Sequence, residues 1–277
     1  MILLDLSQIA IANVLVKEKG ETEPAYKNVN YSLHKILTSI KIYKQQFAHE
    51  FGEMIICCDS KHSWRKDIFP YYKASRKLAK AKSPFDWDAV MAIVELCKET
   101  LRDNFQYKVI EVLGAEADDV IAVLASYVKE PNVIISKDKD FGQLQIYKNN
   151  KQFCPRAKEF IEVSSPTRQL QELIFHGDRG DDIPSIRNPE HIYVTKTRAL
   201  PVSQKMMDGW LVQGVPQELM ENYKRNEKLI SFEHIPMHLR LTVIEEYVKK
   251  PIGNKQKMMK FFQDNNMKKL MMEVGQF

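Results

Sequence analysis

Residues 54–59 read Met-Ile-Ile-Cys-Cys-Asp, an apolar run that ends directly in an acid. Two other runs have the same form: Ile2–Leu4 ends at Asp5, and Val133–Ile135 comes shortly before Asp138. A short run that is apolar on both faces is typical of a strand buried inside a parallel sheet. The three runs therefore predict three parallel strands, each followed by a carboxylate.

Helical patterns separate these runs. Tyr31–Phe47 carries apolar residues three and four apart, Ser83-Pro84 supplies a cap and a first-turn proline for a second helix, and a third helix begins at Gly114. Strands that alternate with helices predict an α/β fold with a mostly parallel central sheet flanked by helices. The 277 residues suffice for one such domain with a smaller appendage.

Towards the middle of the chain the pattern changes. Phe160–Val163 is expected to be an edge strand, and Ser165-Pro166 begins a helix that ends near Gly177. The chain then becomes mostly helical and increasingly basic. We therefore divide it into an α/β core, residues 1–163, and a smaller helical C-terminal region, residues 164–277.

Positive charge is concentrated in one place, residues 61–82, which we call the basic segment. The chain has 41 basic and 36 acidic residues, a net charge of +5. The basic segment alone carries eight Lys or Arg and one acid, so it is +7 and the rest of the chain is −2. This segregation predicts a polyanionic partner that binds at one place.

Several classes of protein are excluded. The longest apolar run, Val120–Ala125, is far short of the ~20 residues that span a bilayer, so no membrane association is expected. Residues 1–5 do not resemble a signal peptide. The four cysteines lack metal-ligand spacing, and the adjacent Cys57 and Cys58 lie in an apolar run, which predicts thiols in a reduced cytoplasm.

The acids that follow the strands belong to a larger set. In an open parallel sheet the carboxyl ends of the strands meet at one crevice, where ligands bind. Two more acidic motifs, Gly-Ala-Glu-Ala-Asp-Asp at 114–119 and Gly-Asp-Arg-Gly-Asp-Asp at 177–182 (the Gly-Asp loop), lie in connecting elements. We expect Asp182 to be a solvated loop acid. The acids expected at the crevice are Asp5, Asp59, Glu116, Asp118, Asp119, Asp138, Asp140, Asp178 and Asp181.

Each of these acids also has an ordinary explanation, because aspartate commonly caps turns and first helical turns. The whole set is harder to explain in that way, since crowded carboxylates repel one another unless cations neutralise them. Oxygen ligands without His or Cys favour Mg²⁺, or Mn²⁺ in its place. Two such ions ~3.5–4 Å apart form the site of phosphodiester hydrolases, in which a metal-bound water is the nucleophile.

Three motifs in order resemble those of the 5′-nuclease family: residues 114–119, Ser-Lys-Asp-Lys-Asp-Phe at 136–141, and the Gly-Asp loop. That family contains flap endonucleases, the 5′–3′ exonuclease domains of bacterial DNA polymerases and phage 5′-exonucleases. Leu-Asp-Leu-Ser-Gln-Ile-Ala at 4–10 and Trp-Arg-Lys-Asp at 64–67 are similar to a phage member. The resemblance covers roughly residues 1–187 and implies a PIN-like or resolvase-like nuclease core.

The resemblance implies a role for each acid. Two Mg²⁺ ions would be held, some through water, and Asp138, Asp140 and Lys73 would be the catalytic residues. The family usually has Asn where this chain has Asp182. The first ion's ligands would be Asp5, Asp59, Glu116, Asp118 and Asp138, and the second ion's would be Asp140, Asp178 and Asp181, with Asp119 nearby.

The basic segment comes directly after the strand that ends at Asp59, so it is expected beside the acids. A run of charged residues commonly forms only a solvent-exposed surface with no partner. In this segment, however, the charges are interleaved with aromatic residues, which offer stacking surfaces to unpaired bases. Residues 73–82 have no apolar periodicity, so we expect a mobile arch that becomes ordered on substrate. The interleaved aromatics are Trp64, Phe69, Tyr71 and Tyr72.

In the resembled family this segment is the helical arch. The resemblance implies that Lys73 neutralises the scissile phosphate and that Tyr72 stacks on a terminal base. It also makes Lys80 a second arch cation, and Arg65 and Arg76 would contact flanking phosphates.

The helical C-terminal region is expected to hold duplex DNA. The family's helix–hairpin–helix element has a Gly-x-Gly hairpin, whereas residues 183–189 here read Ile-Pro-Ser-Ile-Arg-Asn-Pro. The hairpin is therefore altered, which argues against the potassium site that often accompanies it. Arg187 is expected to contact phosphate, with Lys196 and Arg198 as further candidates, although an exposed arginine is more often only solvated.

Together these features predict a divalent-metal-dependent 5′ nuclease, a 5′–3′ exonuclease or flap endonuclease with RNase H-type activity. The resemblance implies removal of RNA primers and flaps during phage DNA replication, by a monomer in the host cytoplasm. Expected partners are branched or nicked DNA and RNA–DNA hybrids with a 5′ end, and a single-stranded-DNA-binding protein or sliding clamp. Two alternatives stay open: a PIN-like ribonuclease and a non-catalytic DNA-structure-binding protein.

Overall fold

The structure, a computed structural model, describes residues 1–17, 23–195 and 197–277. In these ranges six strands form one sheet: β1 (Ile2–Asp5), β2 (Met54–Cys57), β3 (Lys108–Ile110), β4 (Asn132–Ile135), β5 (Asn150–Cys154) and β6 (Glu159–Ile161). Their order across the sheet is β3-β2-β1-β4-β5-β6. Neighbouring strands are parallel as far as β5, and β6 is antiparallel to β5. The predicted mostly parallel α/β sheet is confirmed.

The helices lie on both faces of this sheet and beyond its edges. No helix within the described ranges is long and apolar enough to cross a lipid bilayer. The α-helices are α1 (Leu6–Leu15), α2 (Val29–Phe51), α3 (Arg65–Ile68), α4 (Ala74–Ala81), α5 (Trp87–Asn104), α6 (Ala117–Tyr127), α7 (Pro166–His176), α8 (Ile192–Thr195), α9 (Gln204–Gln213), α10 (Met220–Ile230), α11 (Met237–Val248), α12 (Lys255–Asp264) and α13 (Lys268–Met272).

The apolar runs predicted β1, β2 and β4, and the predicted edge strand is β6, but β3 and β5 have no such signal. β5 reads Asn-Lys-Gln-Phe-Cys, and its two amide side chains, Asn150 and Gln152, are buried. Asn150 donates to the carbonyls of Ala125 and Leu144, and Gln152 donates to the carbonyl of Ser136. Because the side-chain N–H groups of both amides find acceptors, a strand forms without an apolar pattern.

Two predicted helix starts can be compared with the structure. α7 begins at Pro166 after Ser165, as the Ser-Pro pair indicated. The prediction that Ser83 caps the long helix that follows it, α5, is wrong. Asp86 is the cap of α5, and its side chain accepts the N–H of Ala89 at 3.0 Å. A three-residue offset of this kind arises because both Ser and Asp are good N-caps.

The core has two layers. On one face of the sheet α1, α2, α5 and α12 pack around Leu37, Leu101 and Phe262. On the other face α6 and α11 pack around Ile121 and Val243. Helices that follow residue 164 thus complete both layers. The division of the chain into two regions at residues 163 and 164 stays a prediction.

Gly253 lies where the chain between α11 and α12 passes close to the end of α5. A Cβ atom at this position would lie 2.2 Å from the carbonyl oxygen of Phe105 and 2.4 Å from its amide nitrogen. Both atoms belong to the backbone, so a side chain here requires the two segments to separate.

We expect Gly253→Ala to lower the free energy of unfolding by about 1–3 kcal/mol, because the methyl group would be forced into a packed site. Gly275→Ala is the matched control, since a Cβ there meets nothing within 4 Å. It should change stability by less than about 0.5 kcal/mol. Urea unfolding measures the difference, and equal midpoints for the two variants would contradict the close approach.

Candidate active site

One cleft at the carboxyl edge of the sheet, which we call the acidic cleft, gathers carboxylates from five parts of the chain. Its volume is about 500 Å³. The ends of β1, β2 and β4 supply four of these acids, α6 supplies one from its first turn, and the Gly-Asp loop supplies two. The acids that line it are Asp5, Asp59, Asp118, Asp138, Asp140, Asp178 and Asp181.

Several of these acids also cap local structure. Asp5 Oδ1 accepts the N–H of Gln8 at 3.0 Å and caps α1. Asp59 Oδ1 accepts the N–H of Ala117 at 2.9 Å, which fastens the end of β2 to the start of α6. The same aspartates therefore cap local structure and also converge on the cleft.

The Gly-Asp loop is held by its own hydrogen bonds. Asp178 Oδ1 accepts the N–H of Gly180 at 2.6 Å, and the Asp178 carbonyl accepts the N–H of Ile183 at 2.8 Å. Gly177 has a φ of +67°, and a Cβ there would lie 2.3 Å from the carbonyl oxygen of Ile183. Glycine is therefore required where the chain folds back to bring Asp178 and Asp181 to the cleft.

Two predicted site acids, Glu116 and Asp119, are not among the residues that line the cleft. Asp119 is fully buried and forms a two-pronged ion pair with Arg65, at 2.8 and 3.0 Å, and it accepts the indole N–H of Trp64 at 3.1 Å. Glu116 accepts from Arg65 at 3.0 Å and from the hydroxyl of Tyr72 at 2.8 Å, and it pairs with Lys73. Both carboxylates are thus neutralised by the basic segment.

The aromatic residues of the basic segment face inward. Trp64, Phe69 and Tyr72 are buried, and the last two pack with residues of α7 and α10. These rings do not form the stacking surface that the interleaved pattern suggested, because they anchor the segment to the core. α4 itself has no buried residue, and its mobility stays a prediction.

Arg65 and Tyr72 do not have the surroundings expected of DNA contacts. Arg65 is 3% exposed, and besides its two acids it donates from Nε to the carbonyl of Leu229 at 2.8 Å. The Tyr72 hydroxyl lies within hydrogen-bonding distance of both Glu116 and Asp181, at 2.8 and 2.9 Å, and its one proton is available to either carboxylate. In this structure neither side chain can reach a nucleic acid without breaking these bonds.

The other predicted contacts lie nearer solvent. Arg76 lines the cleft and pairs with Asp181 at 2.5 Å. Lys80 is exposed on α4, with its amine 5.1 Å from the centre of the Trp87 ring. Arg187 donates to the carbonyl of Pro201 at 2.5 Å, and Lys196 lies outside the described residues.

The expectation that Asp182 is solvated is wrong. The residue is 5% exposed, and its Oδ2 accepts the N–H of Ser75 at 2.7 Å. Sequence reasoning also missed Lys137 and Lys139, which line the cleft, with Lys139 2.8 Å from Asp178. Their signal was the alternation of Lys and Asp in residues 136–141.

The electrostatics differ across the site. Burial, and then the charges of Asp59 and Asp138, raise the pKa of Asp5 to about 7. Burial, and then Asp138 and Asp178, raise the pKa of Asp140 to about 7. Burial alone would also raise the pKa of Glu116, but Lys73 and Arg65 outweigh it and lower that pKa to about 2. Excess negative charge therefore remains in the cleft and not at Glu116.

The cleft residues suit an oxygen-liganded divalent ion. Carboxylates are the ligands that Mg²⁺ and Mn²⁺ prefer, and Asp140 Oδ1 is buried with no hydrogen-bond partner among the described residues. Within those same ranges, no group of three His, Cys, Asp or Glu side chains is arranged so that it could hold a metal ion. The chemistry of these carboxylate donors nevertheless fits Mg²⁺, which commonly keeps several water ligands.

A parallel sheet with an acidic cleft at its carboxyl edge, bordered by lysine and arginine, has the general form of a phosphodiester-cleaving nuclease. A family model described as 5′-3′ exonuclease, N-terminal resolvase-like domain, matches residues 9–168. A second, described as T4 RNase H, C terminal, matches residues 164–277. The chain belongs to the 5′–3′ exonuclease family, as the three motifs indicated.

Individual relatives agree with this assignment. Ribonuclease H of Enterobacteria phage T4 is 28% identical over 296 aligned positions, which cover 99% of this chain and 95% of that protein. Flap endonuclease Xni of Shewanella oneidensis is 34% identical over 134 positions, which cover 45% of this chain and 48% of that protein. The chain is therefore homologous to the T4 enzyme along nearly its whole length.

Solved structures share the fold. A bacteriophage T5 protein co-crystallised with metal ions has a TM-score of 0.56 and 16% identity, over 96% of this chain and 98% of that chain. The T5 flap endonuclease in a pseudo-enzyme–product complex with DNA and metal ions has a TM-score of 0.55 and 16% identity, over 100% and 99%. At this level of identity the likeness shows the fold alone.

We expect Asp140→Asn to stabilise the metal-free protein at pH 8, by about 1–3 kcal/mol. The pKa of Asp140 is about 7 in the fold against an ordinary 3.8, so its ionisation costs stability as pH rises between those values. At pH 5 the folded carboxyl is still protonated and only part of this cost is present, so the gain should be smaller. Asp103→Asn, at an exposed acid of α5, is the control, and urea unfolding with chelator is the measurement. A gain at pH 5 equal to that at pH 8 would contradict the assignment.

Proposed function

We propose that the chain is a divalent-metal-dependent 5′ nuclease, which hydrolyses phosphodiesters of DNA and of RNA in RNA–DNA hybrids at or near a 5′ end. The convergence of seven carboxylates on one cleft, beside Lys73 and Arg76, carries this proposal. Membership of the 5′–3′ exonuclease family supports it.

The cleft acids would hold two Mg²⁺ ions, with Mn²⁺ able to replace them. Asp5, Asp59, Asp118 and Asp138 would surround the first. The ions, once bound, would lower the pKa of a coordinated water and neutralise charge on the reacting phosphate. The ligands proposed for the second ion are Asp140, Asp178 and Asp181.

Glu116 and Asp119 have different parts in this proposal. Glu116 becomes a ligand only if it is released from Lys73 and Arg65, which hold its carboxylate in the structure. Asp119 stays the partner of Arg65, because its carboxylate is fully buried and already bonded to Arg65, Trp64 and the Glu116 N–H. We therefore propose that Asp119 acts by holding Arg65 in place.

Lys73 and Arg76 would receive the scissile phosphate. Burial alone would lower the pKa of Lys73, but the charges of Glu116 and Asp181 outweigh it and raise that pKa, so the amine stays positive. A permanent cation at the rim of an acidic cleft reduces the repulsion that a phosphate meets there. The side chain of Lys73 would thus exchange its carboxylate partners for the phosphate.

Contacts to the rest of the substrate would involve the DNA or hybrid backbone, through Lys80 and Arg187. Such contacts carry no sequence information and weaken as salt increases. The relationship to phage T4 ribonuclease H supports a task in phage DNA replication, the removal of RNA primers and flaps in the host cytoplasm. A monomer recruited by a single-stranded-DNA-binding protein or a sliding clamp completes the proposal.

The metal-dependent activity is tested with Asp138→Asn and a 5′-labelled flap in Mg²⁺. We expect cleavage to fall on the order of 100-fold or more, because the substitution removes a charge at the cleft floor. Asp103→Asn is the control for general effects of losing an acid. Undiminished flap cleavage by Asp138→Asn would refute the assignment, and preferential cleavage of single-stranded RNA by the wild type would favour a PIN-like ribonuclease.

The role of Lys73 is tested by separating turnover from binding. Lys73→Ala should lower kcat by about 100-fold and change the Kd for the flap by less than about 3-fold, since the proposed contact strengthens in the transition state. Lys80→Ala is the matched control, an exposed lysine of α4 whose loss should weaken binding and spare kcat. Single-turnover kinetics and fluorescence anisotropy give the two quantities. Equal losses of kcat and affinity in Lys73→Ala would contradict the role.

A further inference from the structure

Lys73, just before α4, has a backbone conformation that needs an explanation. Its φ of +55° and ψ of +23° lie in the left-handed region, which residues other than glycine seldom adopt. The conformation directs the chain into α4 while the Lys73 amine stays near Glu116 and Asp181. Such a conformation persists only where surrounding contacts hold it.

The contacts that hold it come from the end of the Gly-Asp loop. The N–H of Lys73 donates to the carbonyl of Asp181 at 2.9 Å. Two residues later, the N–H of Ser75 donates to Asp182 Oδ2 at 2.7 Å. The left-handed turn is thus fastened on both sides by consecutive residues of one loop.

Asp182 is suited to this contact. The first N–H groups of a helix have no partner inside it, and α4 has no side-chain cap of its own, since its N-cap residue is Lys73. The Asp182 carboxylate is buried and supplies the missing acceptor from another part of the chain. Its negative charge also lies at the positive end of the helix dipole.

Further contacts join the same two elements. Arg76 donates from Nε to the carbonyl of Gly180 at 3.2 Å and pairs with Asp181. Beneath them, Tyr72 and Ile183 belong to one apolar cluster. The loop that carries two cleft acids and the helix start that carries two cations are therefore built as one unit, and no residue of α4 beyond it is buried.

We propose that Asp182 is a positioning residue, whose bond to the Ser75 amide sets the place of Lys73 and Arg76 over the acidic cleft. This inference rests on the proposed nuclease function for its effect on turnover, but the contact itself can be measured without any activity. Asn in the same place keeps an oxygen acceptor and loses the charge, whereas Ala loses both.

The experiment compares Asp182→Ala, Asp182→Asn and, as control, Ser75→Ala, which leaves the backbone N–H in place. Hydrogen exchange of the peptide 69–82, without DNA or metal, should be about 10-fold faster in Asp182→Ala than in the wild type. Exchange in Ser75→Ala should match the wild type, and exchange in Asp182→Asn should lie between that of the wild type and that of Asp182→Ala. Thermal unfolding identifies any variant that has lost its fold. If Asp182→Ala does not fold, Asp182→Asn is compared with the wild type in its place, and its exchange should be faster by a smaller factor.

In flap cleavage Asp182→Ala should lower kcat about 10-fold with a change in Kd of less than about 2-fold, and Asp182→Asn should restore most of the loss. Unchanged exchange of peptide 69–82 in Asp182→Ala overturns the inference, as does a loss of binding equal to the loss of kcat. Faster exchange in Asp182→Ala together with a wild type that cleaves no flap leaves the contact standing and overturns the proposed function instead.

Discussion

Mutual repulsion among the carboxylates of the acidic cleft is the constraint on which the rest of the structure depends. The parallel sheet holds these carboxylates close together despite their repulsion. β1 lies between β2 and β4, so the carboxyl ends of these strands deliver Asp5, Asp59 and Asp138 to one edge. Backbone N–H groups at the starts of α1 and α6 offset part of the repulsion. Burial, and then the neighbouring carboxylates, still raise the pKa values of Asp5 and Asp140.

The acids of a single motif experience opposite environments because of helix geometry. Glu116 and Asp119 are three residues apart, so they lie on the same side of the start of α6, where Arg65 bridges them. Asp118 lies on the other side and lines the cleft, where burial and then Asp5 raise its pKa. One side of the helix start therefore stabilises the fold, and the other side is available for function.

The sequence predicted the cleft because strand ends follow from short-range patterns. The same patterns could not reveal what covers the basic segment, since the partners of Arg65 include the distant carbonyl of Leu229. Asp182 was misjudged for the same reason: its donor, Ser75, lies 107 residues away in the chain. The i, i+3 spacing of Glu116 and Asp119 was visible in the sequence and would have separated both from Asp118. β5 was missed because two of its three buried residues are amides, whose burial depends on hydrogen bonds to other segments.

The central position of β1 has a consequence for the order of folding. Ile2 pairs with Met54 on one side and with Val133 on the other, so β1 waits for two strands that come later in the chain. Phe262 and Leu270, later still in the chain, close one layer of the core. Contacts so remote in sequence slow folding and leave apolar surface exposed in the meantime. A nascent chain of this kind would be prone to aggregation until α12 and α13 have been made.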